Sequence, residues 1–173
     1  STNQYHLTVA STDAVIASMS MLADKLEPSL DLLADVLRRP QFPATEFDRR
    51  KAQRIAGKLA AEADPGTVAW AVARRAVFGK GYRGYFNDGT RESIEALNLS
   101  DVKARYGEVI APDGATWIVV GAVERPALEA ALSKRFADWK GKPTATVRPV
   151  ETVAPEKGIH FVDFPGTTQA TVI

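Results

Sequence analysis

The segment Glu46 to Glu62, EFDRRKAQRIAGKLAAE, gathers Arg49, Arg50, Lys51, Arg54 and Lys58 in what reads as a helix, with Gly57 set in its interior. At helical spacing Arg50, Arg54 and Lys58 form one stripe with Lys51 beside it, while Phe47, Ile55 and Leu59 lie across from them. Such a stripe can meet phosphates. A nucleic-acid footprint, however, normally brings net positive charge and interleaved aromatics or a known reading motif. The chain has 22 basic and 21 acidic residues, a formal charge of +1, and no such motif. The stripe therefore reads as a solvated or partner-facing surface. Gly57 asks for a separate reason, because glycine inside a helix costs about 1 kcal/mol relative to alanine.

Metal chemistry has few candidates. The only histidines are His6 and His160, far apart and each in a strand-like context. Two histidines at i, i+4 with a glutamate beside them would signal zinc, and that spacing is absent. Both read as ordinary strand residues. There is no cysteine, so disulfides, thiolate metal sites and a thiol nucleophile are excluded, while the compartment stays open. No G-x-S-x-G elbow occurs. The glycines of GKGYRGYFNDG do not follow the phosphate-loop spacing and read as a surface loop. Trp70, Trp117 and Trp139 follow the apolar periodicity of their segments and are expected to pack. The residues alone supply no catalytic constellation.

The elements that would position these residues follow from periodicity. Tyr5–Ser11 and Val15–Leu22 alternate, with STD between them, and predict an antiparallel hairpin. Leu26, Leu30, Leu33 and Leu37 predict an amphipathic helix, stopped by Pro40. A second helix is expected from about Thr45 to Ala63. Asp64–Gly66 either breaks it or re-caps it, and Thr67 to Phe78 continues as helix. Two short helices follow the glycine loop, the second with Ser100 as its N-cap. ATWIVVGAV, after the PDG turn, predicts a central strand buried on both faces. RPALEAALSKRFADW predicts a helix with proline in its first turn. Residues 141–157 are proline-rich and polar and read as a linker.

This order implies an α+β fold, an antiparallel sheet with long helices packed on it. The 173 residues are enough for one domain with a sizeable core. No run approaches the ~20 apolar residues of a membrane span. Ser1 runs straight into NQYHLTVAS without a basic-then-apolar stretch, so the signal of an exported full protein would lie upstream, and GIHFVDFPGTTQATVI stops on a β-branched run. The chain is expected to be a piece of something longer, incomplete at both ends.

Five segments in order carry a resemblance: LADKLEPSLDLLADVLRRPQFPATEFDRRKAQRIAGKL, GTRESIEALNLSDV, APDGATWIVVGAV, FADWKG and VDFPGTTQATVI. The match covers nearly everything from about Thr12 to Ile173, and the chain resembles the insulinase/pitrilysin-like zinc peptidases, which include the processing peptidases. Members are clamshells of repeated α+β modules that enclose an unfolded peptide. The active module carries H-x-x-E-H, and a further ligand glutamate lies on the long helix within an E-x6-E pair. In register, that pair falls on Arg50 and Gly57. Glycine has no ligand atom, and an arginine beside it would repel a divalent cation. Glu62, five residues on, is the nearby carboxylate a slipped register would use.

The resemblance thus implies a non-catalytic module with no metal and no catalytic residue of its own. Zinc is expected in a partner module or subunit of the same family, with an unfolded peptide as the shared substrate. Residues 1–140 would be the module, 141–157 the linker and 158–173 the opening strand of a following module. Small neighbours of Gly57 suggest close packing where the metal would be. A structural assembly subunit of the same fold is the alternative, and a nucleic-acid binder using Arg50, Arg54 and Lys58 is the third reading. Bacterial members of the family make a periplasmic setting compatible, though no residue here specifies one.

Overall fold

The computed structural model describes residues 4–8, 15–79, 82–85, 89–146, 154–155, 157–168 and 170–173. Two strands and six α-helices are present among them: β1 (Gln4–Thr8), β2 (Ile16–Ser20), α1 (Leu26–Arg38), α2 (Ala44–Glu62), α3 (Pro65–Phe78), α4 (Arg91–Ala96), α5 (Leu99–Val109) and α6 (Arg125–Phe136). No helix is long and apolar enough to cross a membrane among the described residues. The chain divides into two compact units, one formed by residues 1–42 and 100–146, the other by 43–99 and 147–173.

In the first unit β1 and β2 pair antiparallel, with Tyr5 opposite Met19 and Leu7 opposite Ala17. The expected hairpin is therefore formed, while its STD turn lies outside the described residues. α1 follows the leucine spacing. Leu30 is buried and Leu26, Leu33 and Leu37 are half-buried, and α1 packs against α6, whose Ala131 is also buried. Arg135 of α6 is buried against them, and its guanidinium ties the two helices together. It donates to Asp31 at 2.7 Å, to the Glu27 carboxylate, and to the carbonyls of Glu27 and Ala131 at 3.0 and 2.9 Å. Four acceptors satisfy a cation that would otherwise be costly to enclose. Tyr106 of α5 donates toward the end carbonyls of α1, at 3.0 Å from Val36 and 3.2 Å from Leu37. Its ring meets that of Phe42 edge-on at 5.3 Å.

The wider antiparallel sheet is not formed among the described residues, whose strands are one pair. The segment expected as a central strand is a correction. Residues 115–120 have no strand partner, with Ile118 85% and Val120 94% exposed. Apolar, β-branched composition favours a strand only where another chain segment takes up its N–H and C=O groups. No described segment does so here. Trp117 is steadied by Phe136, at 5.0 Å between ring centroids, and Phe136 by Trp139 at 5.9 Å. Of the three tryptophans expected in the core, Trp139 is half-buried, and Trp117 stays 43% exposed although it packs against Phe136. Trp70 is 57% exposed on α3. Residues 159–162 likewise adopt no strand, and Ile159 and Phe161 are exposed.

In the second unit Asp64 decides how α2 gives way to α3. Its carboxylate accepts from the Thr67 N–H and hydroxyl, each at 2.7 Å, so the chain is re-capped rather than broken, with Pro65 at the first position. α4 opens on a capping box between Thr90 and Ser93. α5 begins at Leu99, which places Ser100 inside the first turn rather than at the N-cap.

Candidate functional site: the face of α2

α2 starts after Pro43, whose fixed φ of −59° precedes the first helical residue. Phe47 and Ile55 are half-buried, while Leu59, across from the basic stripe, is 49% exposed. The basic residues separate by role. Arg49 is used within the helix, its guanidinium donating to Glu46 one turn back at 2.7 Å. That hydrogen bond, followed by the charge of Arg49, holds the Glu46 carboxyl below its usual range. Lys51 is a structural tether. Its ammonium donates to the carbonyls of Glu95 and Leu97 at 2.7 and 2.8 Å, closing the C-terminal end of α4. Ile94, just before these attachments in α4, is buried. Arg50 and Arg54 remain on the exposed face, one turn apart.

Gly57 belongs to that same open face. A Cβ built on it meets no atom within 4 Å. The expectation of close packing around Gly57 is therefore overturned: no neighbouring helix or strand approaches among the described residues. A glycine at an open position carries only its propensity cost. A close approach exists elsewhere, at Gly84, where a Cβ would stand 1.9 Å from the Gly79 carbonyl oxygen. There the glycine lets the loop fold back on the end of α3. Arg74 and Arg75 hold that loop. Arg74 donates to the carbonyls of Arg83 and Tyr85 at 2.9 and 3.1 Å, and Arg75 lies 4.4 Å from the Tyr85 ring centre.

The fit to a zinc ligand set fails on this helix. Gly57 offers no donor, Arg50 offers a cation, and Glu62 pairs with Arg91 at 3.9 Å. No three His, Asp or Glu side chains gather as metal ligands among the described residues. His6 sits in β1 opposite Ser18, and His160 is exposed. The structure brings Arg50, Arg54 and Gly57 onto one exposed face of α2.

The solved structures hold a counterpart to this arrangement of helices. The inactive domain of a peptidase M16 from Pseudomonas fluorescens is 28% identical to the chain, with a TM-score of 0.64 over 77% of it. The chain has an M16-like fold. The matched part spans 32% of the Pseudomonas chain. No protein-family model matches the sequence, and no curated protein matches it.

Sequence reasoning missed two side chains that organise these units. Lys51 reads as part of a basic stripe until α4 is seen beneath it. Arg135 reads as one more cation near the end of a helix. A signal for it existed: Glu27 and Asp31 stand one turn apart on the same α1 surface as Leu30.

Proposed function

We propose that the chain is a non-catalytic module of a zinc-dependent peptidase of the insulinase type, helping to form a peptide-enclosing chamber and supporting a zinc-bearing partner module. The observation that supports this reading is the M16-like fold and its similarity to an inactive domain; with it goes α2, where the register counted from the sequence resemblance would set Arg50 and Gly57 at the positions of a ligand-bearing module's glutamates. Neither can bind a divalent cation, and the exposed guanidinium works against one. Chemistry then belongs to a module carrying H-x-x-E-H, in which the metal activates water and the glutamate serves as base. Residues 1–140 would be the module, 141–157 the linker and 158–173 the entry to the next module.

Elemental analysis and a peptide-cleavage assay test the reading together. The purified chain is expected to retain no stoichiometric zinc after dialysis and to cleave no peptide. Combined with its H-x-x-E-H partner, fused or separate, it is expected to support chelator-sensitive hydrolysis that the partner alone lacks. One tightly held zinc per chain would overturn the register on α2. A partnered assembly without hydrolysis would favour the structural-subunit reading instead.

A further inference from the structure

No further inference is drawn: the strongest candidate, the extended apolar run Trp117–Val120 with Ile118 and Val120 almost wholly exposed, carries nothing because no feature of the structure shows what covers it.

Discussion

Gly57 shows how one residue can lack a ligand atom without being a packing device. Its surroundings are open, so a methyl group there meets nothing. Alanine also narrows the unfolded ensemble and favours helix. Gly57→Ala is expected to raise stability by up to ~1 kcal/mol, read from denaturant midpoints. Gly57→Glu keeps the new carboxylate in water, one turn from Arg54, and is expected to melt no lower than the parent. Zinc should leave both melts unchanged. A zinc-dependent rise in the Gly57→Glu melt would show that a ligand set stands nearby after all. Arg135 is the opposite kind of residue, enclosed and fully used. Arg135→Met keeps the aliphatic stem but removes the bonds to Glu27 and Asp31, and should cost about 2 kcal/mol, the range of charge-assisted hydrogen bonds.

The same bonds give the α1–α6 pair a pH dependence. Hydrogen bonding to Arg135 is the largest influence on both Glu27 and Asp31 and holds their carboxyls below the usual range. A folded-state pKa lower than the unfolded one means that the unfolded chain binds protons first. The contribution is therefore complete above the unfolded values, near pH 4, and is lost as pH falls through the folded ones. Acid titration of helicity should show this loss in the parent, and Arg135→Met should flatten it. An unchanged acid profile in the variant would mean that other carboxylates dominate. Between α2 and α3 the decisive element is the Asp64 cap. Asp64→Ala removes the acceptor for the Thr67 N–H and should lower the melting temperature. Asp64→Asn, which can still accept, should lose less. Equal losses would indicate that the carboxylate charge, and not the cap, was the source.

Across the whole molecule, several large apolar side chains stand in solvent. Ile118, Val120, Ile159 and Phe161 are each at least 85% exposed. Extended apolar segments without ladder partners favour association with other chains. The isolated chain is expected to self-associate with rising concentration, as measured by light scattering. Ile118→Lys combined with Val120→Lys should suppress this while leaving the melting temperature nearly unchanged, because neither side chain is packed. A large drop in melting temperature would show that the run is buried in solution.

The helices were legible in the sequence because their causes are local. Leucine spacing marked α1, and the proline at the start of α6 and the apolar and basic periodicity of α2 needed no distant partner. The hairpin was legible for a related reason, since two alternating runs close in sequence can satisfy each other. The proposal for α2 also rests on sequence: a register count by resemblance sets Arg50 and Gly57, neither with a metal-ligating group, at the positions of the family's glutamate pair. Tertiary structure decided what depends on groups far apart along the chain. It assigned Lys51 to the end of α4 and Arg135 to two carboxylates of α1. It also left Trp70 in solvent and opened the surroundings of Gly57. ATWIVVGAV marks the boundary between the two kinds of knowledge. Composition makes it strand-prone, but a strand is completed by the hydrogen-bonding groups of a neighbour, and no rule of spacing within the segment can supply those.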